Sequence, residues 1–295
     1  MNRKQFDPLK IIRTFTALKI LKTIAALQKY LQQQNKKTIG LVPTMGALHQ
    51  GHLSLIALAK AQTAIVVCSI FVNPTQFTNA LDLEKYPRPI ETDIIKLEQA
   101  ECDVLFMPET TEMYPQKEHW HLDIGEVEHR LEGKFRPGHY QGVMQIVYKL
   151  FVAVKPDLAF FGQKDFQQFR VIEKMAELKK LPVKLVMCPI IREADGLAMS
   201  SRNIHLTAEE RQHALVLSRA LNHLKNVPVK EASAQIILKE AVEMIKAEPG
   251  VELEYLEIVN ADDLSEDLSH PEKGTIALVA AKVGQTRLID NMILG

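Results

Sequence analysis

His49 and His52 stand three residues apart in the segment PTMGALHQGH, residues 43–52. An apolar run, TIGLVPT, precedes them and a helix-periodic run, LSLIALAKAQ, follows. That spacing puts both imidazoles on one side of a helix's first turn. A helix start aims backbone N–H groups and the positive end of its dipole into the same space. Phosphate is the natural guest, and two ring donors there can stabilise charge on a transferring phosphoryl group. Gly46 and Gly51 would let the backbone turn and approach a ligand. One imidazole alone would read as a helix cap. A metal pair is the other alternative, but the loop supplies no third ligand.

Other segments carry polar groups of matching kinds. In FVNPTQF (71–77), Asn73 and Gln76 are neutral amides that can hold a carboxylate and a hydroxyl together. In GQKD (162–165), Lys164 is a point charge suited to phosphate, and Asp165 suits a helix cap. In MSSRN (199–203), Ser200, Ser201 and Arg202 offer two hydroxyls and a planar fork to phosphate oxygens. RPGHYQGV (136–143) adds Arg136 and His139 beside a Pro-Gly turn. His119, His121 and His129 in residues 117–130 form no closed ligand set and read as a solvated edge.

The elements needed to position these groups are legible as a series. Residues 17–34 read as a helix, 38–44 as a buried strand, 53–62 as a helix and 64–71 as a second buried strand. Helices at 90–101, 142–154 and 165–180 alternate with strands at 103–108, 157–162 and 183–190. Alternation of this kind predicts an α/β fold, a Rossmann-like open parallel sheet with ligands beyond the carboxyl ends of its strands. After Pro189 come two helices, 207–225 and 229–247, the first capped by Thr207 with Glu210. Three strand-like runs follow at 253–259, 275–281 and 286–290. The expected domains are therefore 1–188, binding nucleotide and substrate, and 189–295, a smaller C-terminal α+β lid. Residues 73–88, rich in Pro, Asn and charge, read as a flap over the site.

Bulk properties exclude several classes. The 36 basic and 36 acidic residues cancel, so no long-range field suits a dedicated nucleic-acid binder. No apolar run reaches the roughly 20 residues of a membrane helix, and the basic start lacks the pattern of a secretory signal. Cys68, Cys102 and Cys188 are odd in number and far apart, which reads as buried, reduced thiols in a cytoplasmic protein.

HxGH after a first strand resembles the nucleotidyltransferase superfamily, and PTMGALHQGH in full is similar to the version found in pantothenate synthetases, the pantoate–β-alanine ligases. FVNPTQF, RPGHYQGV, FGQKDFQQ (161–168) and MSSRN agree with that family and stand in its order. The resemblance covers about residues 20–295, so residues 1–18 read as an extension. It implies ATP bound along Met45, Gly46, Ala47, Leu48, His49, Gln50, Gly51 and His52. It implies ATP also on Gly162, Gln163, Lys164 and Asp165, on the backbone of Ile191, and on Met199, Ser200, Ser201 and Arg202. It places pantoate on Gln76 and Gln168, with β-alanine also at Gln76. Many members carry Glu where this chain has Gln163, which removes a charge near the nucleotide.

The implied reaction needs no general base in its first half, because pantoate's carboxylate is already ionised. His52, His49, Lys164 and Arg202 are the expected catalytic groups. Mg²⁺ is expected on the phosphates, with no protein side-chain ligand, and a homodimer is implied by the resemblance alone. Two alternatives stay open: another small-molecule adenylyltransferase of the same superfamily, and a non-catalytic ATP-binding regulator. Physics alone reaches ATP activation; the identities of the acid and the amine come from the resemblance.

Overall fold

The strands of the first sheet are apolar on both faces because both faces are covered. In the computed structural model, which describes residues 17–34, 37–226, 231–266 and 274–294 without the side chains of 231–234, six parallel strands run in the order β1-β4-β3-β2-β5-β6. They are β1 (Lys19–Leu21), β2 (Ile39–Thr44), β3 (Ile65–Ile70), β4 (Val104–Phe106), β5 (Leu158–Gly162) and β6 (Lys184–Cys188). Alternate residues separate the two cores. Leu41, Ile65, Val67, Ala159 and Phe161 pack in one apolar cluster. Val42, Val66, Cys68, Ile70 and Phe160 pack in another.

The first cluster lies under α1 (Ile24–Gln32), α7 (His139–Val154) and α8 (Phe166–Leu178). The second lies under α2 (Gln50–Gln62) and α4 (Ile90–Gln99). Short helices α3 (Ala80–Lys85), α5 (Thr110–Met113) and α6 (Glu132–Phe135) fill the connections. β2 is the central strand, with β3 hydrogen-bonded on one side and β5 on the other. Chain order reverses there, so the crevice beyond the carboxyl end of β2 is where a ligand is expected in such a sheet.

The second sheet is antiparallel: β7 (Val251–Asn260), β8 (Thr275–Val283) and β9 (Thr286–Ile293). Its outer face buries Leu256, Ile258, Ala277 and Val279 against α9 (Ala208–Asn226) and α10 (Glu231–Lys246). Its inner face packs Tyr255, Ile276, Leu278 and Ala280 onto Leu131 and Phe166 of the first unit. A charged junction reinforces the seam. Arg287 donates to both oxygens of Glu132 at 2.7 and 2.6 Å and to Glu254 at 2.8 Å, while the Tyr255 hydroxyl donates to Glu132 at 2.9 Å. Burial opposes ionisation of Glu132, but Arg287 and Tyr255 outweigh it and hold the carboxyl below its ordinary value.

The α/β class with a smaller antiparallel unit is as the pattern predicts. The helix expected over 17–34 is not. Lys19–Leu21 is an edge strand beside β4, and Thr23 then caps α1 by accepting the Ala26 N–H at 3.2 Å. A three-residue strand is too short to show a period of two, so the helical pattern that follows absorbed it. The predicted Thr207 cap forms as a reciprocal box: Thr207 Oγ1 accepts from Glu210 N at 3.2 Å, and Glu210 accepts from Thr207 N at 2.8 Å. Asp165 occupies the position before α8 but makes no side-chain cap bond. It pairs with Lys164 at 3.6 Å. The extension expected at 1–18 lies outside the described residues but for 17 and 18.

All three cysteines are buried. Burial pushes the Cys68 thiol well up from its ordinary value, Cys102 up to about 12 and Cys188 up to about 11.

Candidate functional site

The loop after β2 is bent tightly and tied from behind. Gly46 has φ +82° and Ala47 φ +51°, left-handed conformations that favour glycine at the first of them. Asp93 of α4, fully buried, accepts the N–H groups of Ala47 at 2.7 Å and Leu48 at 2.8 Å. Lys96, one turn on, donates to the Leu48 carbonyl. Leu48 itself points into the core. The nose of the loop is therefore fastened to α4, and the two histidines follow from a fixed base.

His49 and His52 cap α2 reciprocally. Nδ1 of His49 accepts the Gly51 N–H at 3.2 Å, and Nδ1 of His52 accepts the His49 N–H at 3.3 Å. The rings are 4.1 Å apart between centroids. Of the N–H groups expected to be free at this helix start, the His49 ring takes that of Gly51, and the His52 N–H donates to the His49 carbonyl at 2.8 Å. Accepting at Nδ1 leaves each neutral ring its proton on Nε2. Burial, then the charge of Lys164, lowers His49 to about 4, and burial, then His49, lowers His52 well below its ordinary value. Both rings are thus neutral N–H donors at neutral pH. Capping and donation to a ligand are not alternatives here, because each uses a different nitrogen.

A cleft opens beyond the carboxyl ends of β2 and β5. His49, Gly51 and His52 line it, with Met45 on the loop. Gly162, Lys164, Asp165 and Gln168 come from the β5–α8 junction, and Ile191, Met199, Ser200, Ser201 and Arg202 from the segment after β6. Gln76 enters from the turn after β3. Asn73, Arg136 and His139 line it too, so seventeen of the residues singled out from sequence share one cavity. Gly46, Ala47, Leu48, Gln50 and Gln163 do not line it. Of these, Gln163 turns its amide toward Asn291 of β9 at 3.0 Å. His119, His121 and His129 are exposed and do not line this cavity.

Gln76 is held by neighbours that the sequence did not reveal. Its Nε2 donates to Met45 Sδ at 3.0 Å, and its Oε1 accepts from Asn73 at 3.2 Å. Asn73 also donates to the Gly142 carbonyl at 3.1 Å and accepts from the Tyr114 hydroxyl at 2.8 Å. His139 Nδ1 donates to the Gln76 carbonyl at 2.8 Å, so its Nε2 is the acceptor for Arg136 at 3.2 Å. Burial, then Arg136, lowers His139 to about 4. A Cβ on Gly142 would sit 2.2 Å from the Thr75 carbonyl oxygen, so only glycine lets α7 approach this turn. Val143, Ile146, Val147 and Leu150 of α7 add an apolar wall to the cleft.

Residues 73–88 form a short 3-10 turn and α3, and they lean on the segment after β6. Arg202 donates to Asp82 at 3.3 Å, and Tyr86 hydrogen-bonds Ser201. Asp93, Lys96 and Gly142 are the functional neighbours that sequence reading missed. An Asp inside an amphipathic helix and a Gly inside a helical run were the available signals.

A polar cleft with neutral imidazole donors, one ammonium and the guanidinium groups of Arg136 and Arg202 beside an apolar wall suits a polyphosphate joined to a small, partly apolar acid. Comparison with known proteins agrees. The chain matches the Pantoate-beta-alanine ligase family model over residues 19–293. It is 45% identical over 281 residues to the pantothenate synthetase of Thermotoga petrophila, covering 94% of this chain and 100% of that protein. It is 44% identical over 282 residues to that of Porphyromonas gingivalis, covering 93% and 99%. Among solved structures, pantothenate synthetase from Thermus thermophilus superposes with TM-score 0.86 at 38% identity, covering 94% of this chain and 99% of that one. Pantoate-beta-alanine ligase from Francisella tularensis, complexed with beta-gamma ATP and beta-alanine, gives 0.79 at 33%, covering 94% and 98%.

Proposed function

The chain belongs to the pantoate–beta-alanine ligase family, and from that premise we propose how its cleft joins pantoate to β-alanine with ATP, releasing AMP and pyrophosphate. It is a ligase that forms a C–N bond in pantothenate synthesis, with ATP as a substrate. Transfer of AMP to a phosphate, the alternative on the same fold, is not favoured by these relatives.

In this reading the pantoate carboxylate attacks the α-phosphorus of ATP, forming pantoyl adenylate as pyrophosphate leaves. The β-alanine amine then attacks the activated carbonyl and AMP departs. The observation that carries the first step is the neutral His49/His52 pair facing a cleft shared with Lys164 and Arg202. Neutral Nε2–H donors stabilise charge on phosphate oxygens without giving up a proton to them. Lys164, Ser200, Ser201 and Arg202 take the remaining phosphate charge. The backbone at Ile191 and Met199 faces the adenine side, and Gly162–Asp165 underlie the nucleotide. Gln76 and Gln168 hold pantoate's hydroxyls and carboxylate, while the wall from Val143 to Leu150 suits its two methyl groups. Gln76 also serves β-alanine.

Mg²⁺ fits as a companion of the nucleotide. Among the described residues no three His, Cys, Asp or Glu side chains gather as a ligand group. Asp165, beside Lys164, is the carboxylate that lines the cleft. In this reading the ion would arrive with the nucleotide and would neutralise phosphate charge.

The remaining assignments are an N-terminal unit over 1–188, a C-terminal lid over 189–295 that shields the acyl adenylate from water, a homodimer, and a cytoplasmic location. No helix among the described residues is long and apolar enough to cross a membrane. Mass in solution tests the dimer. The central test follows AMP on incubation with ATP, Mg²⁺, pantoate and β-alanine. AMP release that ignores pantoate, or its absence, overturns the reading.

A further inference from the structure

Asn291 of β9 is only 1% exposed, lies outside the cleft lining, and spends its whole amide on the phosphate-side loop. Its Nδ2 donates to the carbonyls of Gln163 and Lys164, both at 2.9 Å, and its Oδ1 accepts from Gln163 Nε2 at 3.0 Å. Both donor hydrogens and the acceptor are thereby used. The preceding residue, Asp290, grips the opposite wall. Its two oxygens accept from Arg192 at 2.6 and 2.9 Å, and Oδ1 also accepts the Asn291 N–H at 2.7 Å. Arg192 follows Ile191, whose carbonyl accepts the Met199 N–H at 3.0 Å.

Two consecutive residues of one strand therefore hold the two sides of the ATP cleft: the backbone under Lys164, and the Ile191–Met199 segment. We infer that Asn291 and Asp290 are positioning residues for adenylation, fixing Lys164 at a set distance from the nucleotide-side wall. The inference rests on the ATP reading of this cleft. Lys164 carries its charge on a flexible stem, so its reach is set by where its backbone sits. Small misplacements of such groups lower rates steeply. Gln163 acquires a role that needs no contact with ATP. Its side-chain N–H supplies the donor that Asn291 Oδ1 accepts.

The two half-reactions separate this role from mere support of the fold. Pyrophosphate is present only in the first. Asn291→Asp keeps the side chain's shape but replaces the two donors with an oxygen facing two carbonyls. Pantoate-dependent exchange of labelled pyrophosphate into ATP is expected to fall about tenfold or more, while AMP release from supplied pantoyl adenylate and β-alanine stays within about twofold. Gln163→Met, at a half-buried position, removes the donor to Asn291 and is expected to slow exchange in the same selective way, with a nearly unchanged melting temperature. Equal losses in both half-reactions, or unchanged exchange in both variants, overturn the inference. Should Asn291→Asp fail to fold, Gln163→Met decides alone. A wild-type protein without pantoate-dependent exchange overturns the ATP–pantoate reading instead.

Discussion

Nδ1 of His52 accepts the backbone N–H of His49 at 3.3 Å, so the ring that faces the cleft is also the one that closes the turn behind its partner. Asparagine can imitate the Nδ1 acceptor but has no counterpart to Nε2–H. His52→Asn is therefore expected to keep the fold and the melting temperature while kcat for AMP release falls about 10²- to 10³-fold, the scale of a lost transition-state donor. A rate near wild type would remove His52 from the chemistry.

Acid should weaken the protein through its buried rings. His49, His52 and His139 have folded pKa values lowered by burial, two of them to about 4. In the unfolded chain they titrate near pH 6.5. Between about pH 4 and 6.5 the unfolded state binds more protons, so stability rises with pH there, is complete above that window, and is lost as pH falls through it. Melting temperatures measured over this range should decline toward acid, and His139→Gln should flatten the decline. A melting temperature independent of pH across the window contradicts the neutral assignment.

Gly142 allows α7 to touch the turn that carries Gln76. Gly142→Ala forces a methyl to within 2.2 Å of a carbonyl oxygen unless the turn retreats. Overpacking of this kind costs about 1–3 kcal/mol. KM for pantoate should rise more than KM for ATP, because Gln76 moves and Lys164 does not. Steady-state kinetics with each substrate varied in turn provide the check, and equal increases count against the assignment.

If Arg202 binds phosphate as proposed, Asp82 competes with it, because the two side chains already pair. The pair spans 3.3 Å and both side chains are over a third exposed, Asp82 at 42% and Arg202 at 35%. A contact of this sort is worth under about 1 kcal/mol. Asp82→Asn should leave Arg202 free for the nucleotide and lower KM for ATP a few-fold, an effect that salt should diminish. A higher KM would mean that Asp82 supports binding.

The sheet was legible because its strands carry unbroken apolar runs and the helices between them carry a different period. β2, β3, β5 and β6 all stand where that contrast places them. The exception, Lys19–Leu21, is an edge strand with two exposed residues and gives no such signal. Within the site, residue types with intrinsic charge or two-sided hydrogen bonding could be read directly: His49, His52, Lys164, Arg202, Gln76. The groups that fix them could not, because their contacts close over long stretches of chain. Asp93 meets a loop 45 residues away, and Asn291 meets one 127 residues away. An aspartate in a helix and an asparagine in a strand carry no local mark of those partners. His139 shows the same limit, since only the turn at Gln76 reveals which of its nitrogens holds the proton.

The buried thiols give the molecule its own recorders of opening. Cys68 sits mid-sheet on β3, Cys102 just before β4, and Cys188 at the end of the edge strand β6. With their acidity suppressed and their sulfurs covered, an alkylating reagent can reach them only in molecules that have come apart locally. Their separate labelling rates, read by mass, would tell whether the sheet peels from its β6 border or yields as a whole, without any probe having to be introduced.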